Sequence, residues 1–398
     1  MNATELISEI KAKASVLGFS LIGITTPNTP DHFDLFQNWI QAGYQGEMEY
    51  LSRPRSLACR ADPRELLPQA QSLIVLGMNY PNPRDYPDLA NTEEFQEGDE
   101  EFPLAGRVAA YAWGRDYHLV MKEKLKQLAD YLVELVGKPL QYRVFSDSAP
   151  ILERDLAQRA GLGWIGKNSC LINPKLGSYF FLGEILLDCA LPPDTPFSND
   201  YCGKCNRCIQ ACPTQCILPN RTVDARRCIA YLTIELRSAI PETFHAAMGN
   251  WLFGCDICQE VCPWNQHALK RAVDPELQRN QERFPLDLSQ ILKLDENEYR
   301  QCFSESAIQR VKWGGLARNA AIVLGNLAKQ FPQKRERVFG ILADALFHHP
   351  EAFVRRHVVI SLKRIGGQSA KNALRCQLEY EKDAEVRLEI QKALDGWE

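Results

Sequence analysis

No stretch of this chain reaches the roughly 18 consecutive apolar residues that a membrane-spanning helix needs. Charge of one sign is also missing. Lys and Arg number 46 against 50 Asp and Glu, a formal net charge of −4 over 398 residues, so overall charge singles out no class of partner. The opening segment, MNATELISEIKAKASVLGFS, lacks the unbroken apolar core of a secretion signal. Its Leu6, Ile7, Ile10, Ala14 and Leu17 fall instead at helical spacing with lysines between them. These absences lead to the expectation of a cytoplasmic protein without a membrane role, in a compartment where thiols stay reduced.

What is present is cysteine. Fourteen occur in the chain, and in a reducing compartment clustered cysteines are far more often metal ligands than disulfides. With 45% hydrophobic residues over this length, two or three domains with real cores are expected.

Along the N-terminal half, FSLIGIT, SLIVLGM (72–78), RVAAYAW and YRVFSD (142–147) read as strands. Residues 119–136 carry apolar positions at helical spacing, and a further helix is expected from Pro150. Strands alternating with helices imply an α/β sheet domain. A Pro-rich acidic stretch at 81–106, with Glu93, Glu94, Glu97, Asp99, Glu100 and Glu101, reads as a solvated loop. GLGWIG (161–166) imitates a dinucleotide-binding fingerprint but follows a helix rather than a strand, which removes that reading.

Cys202, Cys205, Cys208 and Cys212, followed by Pro213, match the bacterial ferredoxin run C-x-x-C-x-x-C-x-x-x-C-P residue for residue. Three thiolates at that spacing can hold three corners of one cubane, and the fourth reaches a second cluster. The second half has Cys255, Cys258 and Cys262 before Pro263, but Leu252 stands where its first cysteine is expected, and Cys228 is the natural replacement. One [4Fe–4S] cluster is therefore assigned to Cys202, Cys205, Cys208 and Cys262, the other to Cys212, Cys228, Cys255 and Cys258. Two zinc sites are the competing reading, and Cys216 is the nearest alternative ligand. Two clusters move electrons but seldom perform carbon chemistry alone, so a partner cofactor or active site is expected in the N-terminal 200 residues.

DSAPILERDLAQRAGLGWIGKNS (147–169), SYFFLGEILLD (178–188), the cysteine pattern and a helical-repeat tail together resemble epoxyqueuosine reductases over nearly the whole chain. The resemblance implies a cobalamin- and iron–sulfur-dependent enzyme that removes the epoxide oxygen from a modified base at the wobble position of tRNA. Converting an epoxide to an alkene and water consumes two electrons and two protons, so an acid is needed. Asp147 matches the family's proton donor; from the residues alone a helix N-cap is an equal reading, with Ser148 the better cap. For the cobalamin, the resemblance nominates Asp147 together with Arg60, Lys167, Asn168 and Gly183. Asp116-Tyr117-His118 begins like the D-x-H-x-x-G of histidine-ligated cobalamin enzymes, but Met121 ends the match. Tyr117 reads equally as a stacking platform for a base or as core.

LARNAAIVLGNL (316–327), VRRHVVISLKRI (354–365) and VRLEIQKALDGW (386–397) repeat a basic residue followed by an apolar face, the pattern of stacked HEAT-like helix pairs. Between 311 and 375, twelve Lys or Arg face three acids, which suits a phosphate backbone. Arg318, Arg355 and Arg356 are the tRNA-binding candidates, with a stabilising role inside the solenoid as the alternative.

The expected architecture is an α/β cobalamin-binding catalytic domain (1–190), a ferredoxin-like two-cluster domain (191–275) and a helical HEAT-like tRNA-binding domain (276–398). Expected partners are tRNA and an external electron donor, with a monomer as the default. Rival functions are a two-cluster electron-transfer protein and a corrinoid reductive dehalogenase, the latter usually exported behind a twin-arginine signal that this chain is not expected to carry.

Overall fold

The structure is a computed structural model that describes residues 2–85 and 104–397. Glu93, Glu94, Glu97, Asp99, Glu100 and Glu101 of the 81–106 stretch lie outside the described residues. The strands in chain order are β1 (Leu21–Thr25), β2 (Ser72–Asn79), β3 (Ala105–Val108), β4 (Tyr142–Phe145), β5 (Trp164–Ile165), β6 (Leu171–Ile172), β7 (Phe180–Leu187), β8 (Trp251–Phe253) and β9 (Leu286–Asp287). No helix among the described residues is long and apolar enough to cross a membrane.

The chain divides into two compact units, each built from three segments. Unit 1 takes residues up to 86, 110–226 and 256–279; unit 2 takes 87–109, 227–255 and 280–398. This replaces the three consecutive domains expected from the sequence. The cysteine-bearing stretch is not a separate body, because residues 227–255 fold with the C-terminal unit and the cysteine loops on either side fold with the N-terminal one.

Unit 1 is organised on a four-stranded sheet in the order β1-β2-β7-β4. Every neighbouring pair is antiparallel, so the parallel-sheet logic that would place a functional group at a carboxyl strand end does not apply. β2 and β7 are apolar nearly throughout because they lie at the sheet's centre with helices on both faces. On one face lies helix α4 (Tyr117–Val136), introduced after α1 (Ala3–Val16), α2 (Phe33–Gln41) and α3 (Pro54–Ala61). α4 starts where Asp116 accepts the His118 N–H and stops at Gly137, whose φ of +69° suits a residue without a side chain. On the other face α5 (Glu153–Arg159) packs Leu156 and Ala157 against Leu73, Val75, Phe145 and Leu186.

The helix expected from Pro150 therefore begins at Glu153, and its N-cap, Leu152, makes no side-chain hydrogen bond. Neither Asp147 nor Ser148 caps it; the Ser148 hydroxyl instead accepts the Ser146 N–H at 3.5 Å.

Unit 2 places β3 between β8 and β9 and continues into five helices, α6 (Trp313–Gln330), α7 (Arg335–His348), α8 (Ala352–Ile365), α9 (Gln368–Tyr380) and α10 (Ala384–Asp395). The three repeated sequence segments are α6, α8 and α10. α6 packs on α8 and α8 on α10, so the alternate helices form one layer. Gly325 of α6 lets the backbones close up, since a Cβ there would sit 2.9 Å from Ser361, and the Ser361 hydroxyl donates to the Ala321 carbonyl.

Candidate functional site

Two side-chain clusters in unit 1 carry chemistry. The first is a cavity of about 320 Å3 lined by Cys202, Cys205, Cys208 and Cys262 with Lys167, Asn168, Arg207, Tyr201, Trp264 and His267. Three of these thiols come from a loop and the short helix Arg207–Ala211, the fourth from the start of the helix Pro263–Gln266. Burial and then the neighbouring thiols Cys202, Cys262 and Cys205 push Cys208 up to about 11, and burial also raises Cys262. Four thiols lining one cavity fit a cationic core, which stabilises cysteines as thiolate ligands. The Trp164 indole N–H points at Cys202 Sγ at 3.4 Å, and Trp164, Tyr201 and Trp264 pack edge to face around it.

Lys167, nominated as a cobalamin contact, is bonded to the cysteine loop. Its ammonium donates to the Gly203 and Cys205 carbonyls, both at 2.8 Å, and to Asn206 Oδ1 at 3.0 Å, tying down the loop that presents two of the thiols. Asn168 is buried beside it, its amide donating to the Cys258 carbonyl at 3.4 Å.

Cys212 and Cys258 belong to unit 1, whereas Cys228 and Cys255 belong to unit 2. Cys216 is buried with Sγ 3.4 Å from Cys212 Sγ, and its hydrogen bond lowers the Cys212 thiol to about 5. Among the described residues, no three His, Cys, Asp or Glu side chains close tightly enough to form a ready-made metal site.

The second cluster surrounds Asp147, which follows β4 in a left-handed conformation with φ +50°, one that Asp tolerates better than most residues. Its carboxylate is largely exposed. Asp147 Oδ2 accepts the Tyr117 hydroxyl at 2.7 Å and lies 3.9 Å from His118 Nε2. Burial, followed by the charge of Asp147, pushes the Tyr117 phenol well above its ordinary range, so it stays a donor. The Tyr117 ring is covered by Phe181 at 4.2 Å and His118 at 4.1 Å, which takes it out of the role of a platform for a base. Arg60 is buried, donates to the Ser56 carbonyl and lies over Phe36. Burial lowers its basicity, and Asp147 and Glu153 are among the groups that oppose this.

Beneath Asp147 lies a pair of acids that the sequence reading passed over. The Asp147 backbone N–H donates to Glu153 Oε1 at 2.6 Å. Glu184, fully buried in β7, pairs in register with Phe145 and Val75, and among the described residues neither of its oxygens has a hydrogen-bond partner. Burial, then the partner's charge on Glu184 and the Asp147 charge on Glu153, drive both carboxyls upward. An acid inside the apolar run FFLGEILL was the signal available in the sequence.

Gly183 is not open to a ligand on its α4 face. A Cβ there would sit 2.7 Å from Met121 and 2.9 Å from Leu125, so glycine is explained by helix–sheet packing. Of the four nominated cobalamin contacts other than Asp147, Arg60 lies in electrostatic reach of Asp147. At the same end of the sheet, where Asn79 pairs with Phe180, Asn79 Oδ1 and the Tyr179 hydroxyl are buried without hydrogen-bond partners among the described residues.

The tRNA candidates fare differently from expectation. Arg318 is fully buried and donates to the Leu232, Leu236 and Ser238 carbonyls. Arg355 forms a two-pronged ion pair with Glu381 and caps the His349 and Pro350 carbonyls. Arg356 pairs with Glu385 and Glu389. All three guanidinium groups are bonded within the helical unit.

Residues 60–148 match the family model Epoxyqueuosine reductase QueG, DUF1730, and residues 201–265 match a 4Fe-4S double cluster binding domain. An epoxyqueuosine reductase of Cyclobacterium marinum is 41% identical over 79% of this chain and 95% of its own length. This chain belongs to the epoxyqueuosine reductase family. It is accordingly an oxidoreductase with a double-cluster domain. Among solved structures, an epoxyqueuosine reductase with an epoxyqueuosine-modified tRNA-Tyr stem loop matches at TM-score 0.85 and 28% identity, covering 99% of both chains. Another from Bacillus subtilis, with its aspartate-bearing catalytic loop swung out of the active site, matches at 0.84 and 29%, again over 99% of both.

Proposed function

We propose that this chain reduces epoxyqueuosine to queuosine at the wobble position of tRNA, with Asp147 as proton donor and with two [4Fe–4S] clusters and one cobalamin as cofactors. The observation that carries the reading is the setting of Asp147. Its exposed carboxylate is aimed by Tyr117 at the end of the central sheet, within the segment that the reductase family model covers. Opening the epoxide to an alkene takes two electrons and two protons, both protons leaving with the oxygen as water. Asp147 delivers a proton to that oxygen as its carbon bond breaks.

Cys202, Cys205, Cys208 and Cys262 would hold one cluster, and Cys212, Cys228, Cys255 and Cys258 the other. Cobalamin, when bound, supplies the strongly reducing centre that electron transfer alone lacks. Arg60, Lys167, Asn168 and Gly183 would be its contacts, and the buried Asn79 and Tyr179 side chains, with Asn79 Oδ1 and the Tyr179 hydroxyl lacking hydrogen-bond partners among the described residues, lie at the same end of the sheet as Asp147. Phosphates of the tRNA would meet the exposed cations that remain on the repeats, Lys312, Lys329, Arg335 and Arg375, in a HEAT-like solenoid. An external carrier would supply electrons to the cytoplasmic enzyme.

Anaerobic metal analysis after reconstitution tests the cofactors: about eight irons and one corrinoid per chain are expected. Eight irons without corrinoid would favour an electron carrier. With both cofactors bound, Asp147→Asn should lose at least roughly 100-fold in turnover while still binding the stem loop. Full turnover in that variant would remove Asp147 from the chemistry.

A further inference from the structure

We infer that Trp164 sets the reduction potential of the cluster held by Cys202, Cys205, Cys208 and Cys262, through the hydrogen bond from its indole N–H to the Cys202 sulfur. The inference rests on the assignment of those four thiolates to a [4Fe–4S] cluster. Trp164 Nε1 lies 3.4 Å from Cys202 Sγ, and an indole nitrogen can only donate. The ring is 2% exposed. Phe197 stacks on it at 5.8 Å, while Tyr201 and Trp264 meet it edge to face at 5.2 Å and 5.1 Å. A donor so enclosed is costly to leave unpaired, and the sulfur is what it meets.

Both ends of this bond are held by the main chain. Trp164 lies in β5, which pairs antiparallel with β6 through Trp164 and Ile172. The neighbouring Gly163 runs so close to β6 that a Cβ on it would sit 2.1 Å from the Ile172 carbonyl oxygen, which fixes the height of the indole over the cysteine loop. On the acceptor side, the Cys202 backbone N–H donates to Asp200 Oδ1 at 2.9 Å. Asp200 Oδ2 accepts from the Arg221 guanidinium at 2.5 Å, and the other arm of the same guanidinium donates to the Ile165 carbonyl at 2.8 Å. Ile165 follows Trp164 in the chain. Arg221 therefore closes a ring that runs from the donor's neighbour to the acceptor's backbone, and a drift of either the indole or the sulfur strains a member of that ring.

The direction of the effect follows from charge. Reduction adds a negative charge to a core already outweighed by its four thiolates, and that charge spreads onto the sulfurs. An N–H aimed at a ligand sulfur stabilises the reduced cluster more than the oxidised one, so it raises the potential. Trp164 thus makes this cluster easier to fill from the external carrier.

The test replaces Trp164, in the full-length reconstituted protein, by β-(3-benzothienyl)alanine, which keeps the shape of the indole and lacks its N–H. In a redox titration followed by electron paramagnetic resonance, one of the two midpoint potentials should fall by about 59 mV, a tenfold loss in the reduction equilibrium. The other should hold, with iron still at about eight per chain. Independently of that variant, protein carrying isotopically labelled indole nitrogen should show a hyperfine coupling of one tryptophan nitrogen to the reduced cluster, and Trp164→Phe should abolish it. Unmoved potentials at full iron content refute the inference, as does the absence of the nitrogen coupling from the wild type, which decides even if the benzothienyl protein loads no iron. Wild-type protein that takes up fewer than about eight irons would overturn the cluster assignment beneath this inference, a failure that the iron count separates from a failure of Trp164 alone.

Discussion

Replacing Arg318 by Ala should unfold the helical unit more easily without touching tRNA affinity. The Arg318 guanidinium is fully buried and donates to three main-chain carbonyls, those of Leu232, Leu236 and Ser238, and to Asn319 Oδ1. It also lies over the Phe353 ring. Truncation strips four buried acceptors of a charged donor, each costing about 1–3 kcal/mol if nothing replaces it. Relaxation recovers part of this, so roughly 3–5 kcal/mol is the expected net loss. For a unit of this size that lowers Tm by roughly 6–20 °C. The assay is thermal unfolding followed by circular dichroism, paired with stem-loop titrations over a salt series well below the transition. If Arg318 instead contacted phosphate, the slope of log affinity against log salt would fall by about one and Tm would hold. A Tm within 2 °C of wild type together with a reduced slope would refute the structural role.

Gly183→Ala should cost about 1–3 kcal/mol by forcing Met121 and Leu125 of α4 outward, and urea unfolding without any cofactor checks it; a loss confined to corrinoid binding would contradict the packing account. Cys228→Ala should halve the iron content from about eight to about four, whereas Cys216→Ala should leave it; the reverse outcome would hand the fourth ligand position to Cys216, the thiol touching Cys212. Burial would raise the Glu381 carboxyl, but the two Arg355 hydrogen bonds, the Asp383 amide and Gln377 outweigh it and bring it to about 2. A depressed carboxylate stabilises the fold above its ordinary pKa and loses that contribution as pH falls towards 2, so roughly 3 kcal/mol should disappear between about pH 5 and pH 2. Glu381→Gln should be less stable at pH 7 and lack that acid-side decline, as denaturant midpoints at several pH values would show.

The cysteines were legible because their information is local. The run from 202 to 212 is short, and its spacing alone brings three thiols to one cavity; Cys262 joins them across sixty residues because the second Cys-Pro ends another turn of the same kind. The helices were legible through their apolar spacing, and the three repeat segments are three helices packed side by side. The domain boundaries were not, since the chain leaves unit 1 at 227 and returns at 256 without any change in composition at either point. Sequence order carries no sign of which of two bodies a loop segment will join.

Charge misled for a physical reason that the same sequence contains. The basic excess was counted between 311 and 375, yet residues 376–398 carry seven acids and only three bases. Glu381, Glu385 and Glu389 among them are the partners of Arg355 and Arg356. A helix in a stacked array finds its counter-ions one layer away, about thirty residues along, so a charge window shorter than that reads an internal ion pair as a free cation. Glu184 was passed over within SYFFLGEILLD, where it is one acid in a buried strand. A buried carboxyl at that position is costly to ionise, and the acid at the start of α5, which holds the amide of Asp147, adds its charge to that cost. Whether a charged residue belongs to a surface, a scaffold or a site is decided by its neighbours. At Arg318 and at Glu184 those neighbours are supplied by segments that no local pattern brings together.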